Sequence, residues 1–208
     1  MRFAKLTAVI FALIVLHSPL AAAAPPTVMV FGDSLTAGLG LPADAAFPAQ
    51  LQAKLHDMGI PAEIAARATS GQTTAGGLAS LADALAAKPD LVILELGAND
   101  MLRAVDPASV RANLDAMMTK IQASGAKLLL TGMQAAPNWG EDYKHDFDRL
   151  YPELAKAHGV TLYPFFLDGV ALDPALNQAD GMHPNAKGVA VIVDRIAPVV
   201  AKMLRGQS

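Results

Sequence analysis

Four short clusters in this 208-residue chain carry side chains able to take part in covalent chemistry. They are Gly32-Asp33-Ser34-Leu35-Thr36, Ala68-Thr69-Ser70-Gly71-Gln72-Thr73, Gly97-Ala98-Asn99-Asp100 and Asp180-Gly181-Met182-His183-Pro184-Asn185. Each has a plain structural reading by itself. Asp33 or Ser34 can cap a helix, Asn99 and Asp100 can stabilise a turn, and Asp180 to Asn185 can be a loop ending in an N-cap. Together they hold a serine, an acid three residues before a histidine, a glycine N–H and a side-chain amide. That inventory is what acyl transfer from a serine requires: a nucleophile, a base with its own orienting acid, and donors for a developing oxyanion.

Such groups need a frame that brings them together. Strand-like runs are read at Val28–Phe31, Ala62–Ala66, Leu91–Leu96, Lys127–Gly132 and Gly159–Tyr163. Several are continuous apolar stretches of the kind buried on both faces of a parallel sheet. Between them, apolar residues recur at helical spacing: Leu51, Leu55 and Met58; Leu78, Leu81 and Leu85; Val110, Leu114, Met117 and Ile121; Phe147, Leu150 and Leu154; Val189, Ile192 and Ile196. These stripes are core. Asp106-Pro107 supplies an N-cap and a first-turn proline, Gly59 and Gly125 are C-terminal stops, and Pro152 and Pro198 predict a kink or break.

The alternation predicts one α/β domain, a flavodoxin-like, doubly wound, three-layer α/β/α arrangement around a five-stranded parallel sheet. In such a sheet ligands sit beyond the carboxyl ends of the strands, where the first three clusters fall. The strand stopping at Gly32 would present Ser34 at that edge, with the N-terminus of the next helix beneath the developing charge. Asp33 is read as holding the loop.

Composition narrows the partners. The chain is 53% hydrophobic and 17% charged, with a formal charge of −3, which fits a compact globular protein and gives no basic patch for nucleic acid. Arg2 and Lys5, the apolar run Leu6 to Leu16 and Ala21-Ala22-Ala23 read as a signal peptide over residues 1–23, with a domain over 24–208. Cleavage removes two positive charges and takes the formal charge from −3 to −5. The expected product is an acidic, soluble protein, periplasmic or secreted, with no stable membrane anchor. The absence of cysteine excludes a disulfide framework, a thiolate nucleophile and sulfur-ligated zinc.

The blocks FGDSLTAG, SGQTTAGG, LELGAND and DGMHPN, in this order and spacing, resemble those of the SGNH (GDSL) hydrolases through nearly the whole mature chain. The resemblance is strongest to the small exported bacterial enzymes with arylesterase, acyl-CoA thioesterase and lysophospholipase activity. It implies Ser34 as nucleophile, and chemistry agrees: a serine hydroxyl needs a base, for which His183 is the candidate, and Asp180 can fix the imidazole tautomer. It also implies an oxyanion hole made by the Ser34 and Gly71 N–H groups and the Asn99 side-chain amide. Gln72 stands where the family pattern has aspartate, and Ala98 where glycine is commoner.

Other groups lead elsewhere. Asp142, His145, Asp146 and Asp148 read as the solvated face of a helix and not as a metal cluster, and His56 and His158 as surface residues near helix ends. The glycines at 38, 40, 76 and 77 do not form a dinucleotide fingerprint, and Ser34 lacks the second glycine of a Gly-x-Ser-x-Gly elbow. The expectation is therefore a monomeric serine esterase acting on small-molecule esters and thioesters, with no metal or organic cofactor. Strand–helix units of near-minimal length leave no room for a large lid, so a shallow, open site is expected. A carbohydrate acetylesterase on the same scaffold and a non-catalytic flavodoxin-like binding module are the alternatives.

Overall fold

The computed structural model describes residues 24–206, so the expected leader at 1–23 and the chain's last two residues lie outside it. Strands β1 (Thr27–Gly32), β2 (Glu63–Ala68), β3 (Leu91–Glu95), β4 (Lys127–Thr131) and β5 (Thr161–Tyr163) are all parallel, in the order β2-β1-β3-β4-β5. This is the flavodoxin-like order, whose switch point lies between β1 and β3. In these two strands nearly every residue is buried, which explains why they read as unbroken apolar runs. Their register sets Gly32 beside Glu95.

The helices are α1 (Ser34–Ala37), α2 (Phe47–Asp57), α3 (Thr74–Leu85), α4 (Ala98–Leu102), α5 (Pro107–Ala123), α6 (Glu141–Asp148), α7 (Leu150–His158) and α8 (Ala186–Leu204). They cover both faces: α2 packs with α8, and α3 and α7 pack against α5. The sequence stripes are the buried faces. Leu51, Leu55, Leu81, Val110, Leu114, Met117 and Ile121 have no exposed surface, each contributing about 1.5–3 kcal/mol by leaving water. Asp106 caps α5 by accepting from Ala108 N–H at 3.1 Å, and Gly59 and Gly125 adopt positive φ after their helices.

Several boundaries differ from the sequence reading. β2 runs later than 62–66, and Gly159 is the left-handed terminator of α7 and no part of β5. The helical pattern around Pro152 divides at Arg149, between α6 and α7, but α8 continues through Pro198. Pro198 and Asp194 lie on the exposed side of α8, so the carbonyl deprived of its donor can bond to water. The helix after Ser34 is a single turn, too short for a macrodipole of consequence.

The free edge at β2 is guarded. The Gln52 amide accepts from Ile64 N–H at 2.8 Å and donates to the Ala62 carbonyl, and Arg67 donates to the Ala66 carbonyl. Side chains thus occupy edge groups that another strand would otherwise use.

Candidate active site

Ser34 follows β1 at the switch point. Asp33 caps the α1 turn by accepting the Leu35 N–H at 3.0 Å, and this tight turn leaves Ser34 only 8% exposed, with its N–H donating to nothing among the described residues. Asn99, on α4 beyond β3, donates one amide hydrogen to Asp33 Oδ2 at 3.0 Å and keeps the other. Gly71, beyond β2, has φ +82°, a conformation suited to glycine. Its N–H makes no bond among the described residues, and its carbonyl accepts from Arg103 at 3.3 Å.

His183 arrives on the segment 164–185, which contains no helix or strand. His183 Nε2 lies 2.8 Å from Ser34 Oγ, and Nδ1 lies 2.6 Å from Asp180 Oδ2. Asp180 Oδ1 accepts from the Met182 and His183 N–H groups at 2.9 and 3.0 Å. Those backbone donors, with the imidazole, push the Asp180 carboxyl down to about 2. An ionised carboxylate only accepts, so Nδ1 carries hydrogen and the Nε2 lone pair faces the serine hydroxyl. The arrangement can move a proton from Ser34 to His183 while Asp180 holds the ring.

Of the five residues singled out by the sequence, the structure links Ser34, Asp180 and His183 in one hydrogen-bonded chain and Asn99 to the neighbouring Asp33, while Gly71 is bonded to Arg103 just after α4. Gln72, the departure from the family pattern, turns away and donates to Ser80 Oγ at 3.3 Å. Asp148 departs from its reading as a solvated residue. It is 30% exposed, accepts from Ala135 N–H at 2.7 Å and pairs with Lys144, because α6 clamps the loop after β4. His158 is likewise no free surface residue, lying 2.7 Å from Asp115 and 2.8 Å from Gln122 on α5.

Two residues escaped the sequence reading. Gln178 donates to the Leu39 carbonyl at 2.8 Å and the Pro184 carbonyl at 3.0 Å, tying the histidine segment to the turn after Ser34. Its amide lies over Gly40, where a Cβ would meet Gln178 Oε1 at 2.2 Å. No sequence pattern marks it. Glu95 is fully buried at the end of β3, accepting from Asp33 N–H at 3.3 Å and Thr36 Oγ1 at 3.1 Å. It had a signal, as the only charge in the run Leu91-Val92-Ile93-Leu94-Glu95-Leu96. Burial pushes Asp33 up to about 6, and burial with the Asp33 charge pushes Glu95 well above the carboxylate range.

A model of the GDSL-like Lipase/Acylhydrolase family matches residues 30–191. Esterase TesA of Pseudomonas aeruginosa is 42% identical over 183 residues, covering 88% of this chain and 91% of that protein. Thioesterase 1/protease 1/lysophospholipase L1 of Escherichia coli K12 is 36% identical over 188 residues, 90% of this chain and 89% of that one. Among solved structures, the psychrotrophic esterase EstA from Pseudoalteromonas sp., inhibited by monoethylphosphonate, matches with a TM-score of 0.82 at 30% identity. It covers 86% of this chain and 98% of that chain.

Proposed function

The chain belongs to the GDSL-like lipase/acylhydrolase (SGNH) family of serine esterases, and from that premise we propose that Ser34, His183 and Asp180 carry ester hydrolysis through an acyl-enzyme. The observation that carries the assignment is the continuous chain from Ser34 Oγ through both ring nitrogens of His183 to Asp180. Ser34 Oγ attacks the ester carbonyl carbon as its proton passes to His183 Nε2. The carbonyl oxygen becomes an oxyanion that the Ser34 and Gly71 N–H groups and the second Asn99 amide hydrogen meet. Collapse expels the alcohol, which takes the proton from His183 and leaves the acyl group on Ser34. Water, deprotonated by His183, then releases the acid and restores the serine.

Thioesters fit the same steps, since a thiolate leaves more readily than an alkoxide. Leu39, Leu102 and Met182, each a few residues along the chain from Ser34, Asn99 or His183, are about half exposed and offer apolar surface to an acyl group or an aryl leaving group. Arylesters, acyl-CoA and lysophospholipids are therefore the proposed substrate classes, taken by a monomer exported to the periplasm or beyond.

The test is a substrate panel on purified 24–208: p-nitrophenyl acetate, a longer p-nitrophenyl ester, an acyl-CoA, a lysophospholipid and acetylated xylan, beside fluorophosphonate labelling of the protein and of Ser34→Ala. Labelling that needs Ser34, with turnover of aryl and acyl-CoA esters, is expected. Turnover of acetylated xylan alone would make it a carbohydrate acetylesterase. An unlabelled Ser34 would make it a binding module.

A further inference from the structure

We propose that Glu95 is a positioning residue for ester hydrolysis, acting through Asp33 on the Asn99 amide. The inference rests on the reading of Asn99 as an oxyanion donor.

The geometry is a relay of short polar contacts beneath the nucleophile. Glu95 Oε2 holds the Asp33 N–H and the Thr36 hydroxyl, gripping the turn on both sides of Ser34. Asp33 in turn fixes Leu35 N–H through Oδ1 and Asn99 Nδ2 through Oδ2. Asn99 thus has one amide hydrogen committed to Asp33, and that commitment sets the direction of the other. Remove Glu95, and Asp33 loses the acceptor of its own N–H and a wall of its pocket.

The site is built for this carboxyl. Gly32 stands beside Glu95 in the sheet register, and a Cβ there would meet Glu95 Oε2 at 2.7 Å and Thr36 Oγ1 at 2.3 Å. A merely structural filler at the end of an apolar strand would be a leucine. A buried carboxyl is kept at a cost, all the more because Glu95 Oε1 has no hydrogen-bond partner among the described residues.

Charge explains how the cost is contained. Among titratable groups, Glu95 faces Asp33 on the β1–α1 turn and Tyr151 on α7, and Asp33 in turn faces His183. No lysine or arginine pairs with it among the described residues. Glu95 is therefore the neutral member of the pair, and Asp33 carries whatever charge the pair bears. One buried negative charge orients Asn99; a second would oppose the oxyanion.

The experiment is a double-mutant cycle on active-site-titrated protein. Asn99→Ala should lower kcat about 10²–10³-fold. Glu95→Leu should lower kcat about 10–10²-fold with KM within about twofold, as a displaced donor would. It should add little in the Asn99→Ala background. Glu95→Gln, which mimics the neutral acid, should restore kcat to within about threefold. Thr36→Val, which removes one donor to Glu95, should give a smaller loss that also vanishes without Asn99. If Glu95→Leu does not fold, the Gln and Val variants decide. Losses that multiply with Asn99→Ala, or unchanged kcat in Thr36→Val, would overturn the inference. A normal kcat in Asn99→Ala would instead overturn the oxyanion reading on which it rests.

Discussion

Gly32→Ala adds one methyl group at a crowded backbone position of the site. The new Cβ would lie 2.3 Å from Thr36 Oγ1, 2.7 Å from the Glu95 carbonyl oxygen and 2.7 Å from Glu95 Oε2. The side-chain contacts could yield, but the carbonyl belongs to β3 and cannot move without disturbing the β1–β3 ladder. Overpacking of this kind costs about 1–3 kcal/mol. Pushing Thr36 off Glu95 leaves buried polar groups unpaired for a further ~1–3 kcal/mol, so the expected loss is about 2–6 kcal/mol in all. Gly125→Ala is the control. It sits at φ +88° with nothing within 4 Å of the added methyl, so only the left-handed backbone opposes it, at about 1–2 kcal/mol. Urea unfolding gives both values, and kcat per fluorophosphonate-titrated site gives the second half of the prediction: Gly32→Ala slows turnover, and Gly125→Ala does not. Equal destabilisation by the two, or Gly32→Ala within about 0.5 kcal/mol of the parent, would refute the crowding argument.

Ser34→Ala and His183→Ala should each lower kcat by at least about 10³-fold, with the double variant no slower than the worse single one; multiplying losses would show that the two do not act as a unit. The raised Asp33 carboxyl binds its proton more tightly folded than unfolded, so stability should fall as pH rises from about 4 through about 6. Asp33 alone accounts for up to about 3 kcal/mol of this, and urea midpoints across that range should be flatter in Asp33→Asn; parallel curves would refute it. Asp180 has the opposite sign: its lowered carboxyl stabilises above about 4 and loses that effect as pH falls towards 2. Gln178→Ala should lower kcat about tenfold while Ser34 still labels, since it frees the histidine segment from the Leu39 carbonyl; an unchanged kcat would confine Gln178 to folding.

The sheet was legible because its central strands are buried on both faces and its helices carry apolar stripes at regular spacing. Boundaries slipped where that burial fails. β2 is an exposed edge whose alanines carry no strand signal, and β5 is three residues long. Pro152 and Pro198 look alike in sequence but differ in outcome. Only the surroundings tell that Pro198 and the carbonyl it deprives face water. The candidate site residues were picked out by type, at Ser34, His183, Asp180 and Asn99, because acyl transfer requires those groups. Glu95 and Gln178 act by position: one comes within reach of Asp33 through the β1–β3 register, the other through the path of an irregular segment. Neither register nor path is written in residue type.

Side-chain amides serve both the scaffold and the proposed reaction. In the segment 164–185 turn bonds and one Asn177–Pro184 bridge satisfy part of the backbone, and side-chain amides add to them. Asn177 donates to the Val170 and Asp173 carbonyls, Gln178 to those of Leu39 and Pro184, and Asn185 to those of Ala175 and Asn177. In each of these three, both amide hydrogens are engaged, so the group is full and its place is fixed. Among the described residues Asn99 engages one, and the N–H groups of Ser34 and Gly71 engage none. The free Asn99 amide hydrogen and these two N–H groups are the donors proposed above for the oxyanion. These three donors follow three adjacent strands, β2, β1 and β3, so the order of the sheet sets their loops side by side at one edge, as the proposed oxyanion would require.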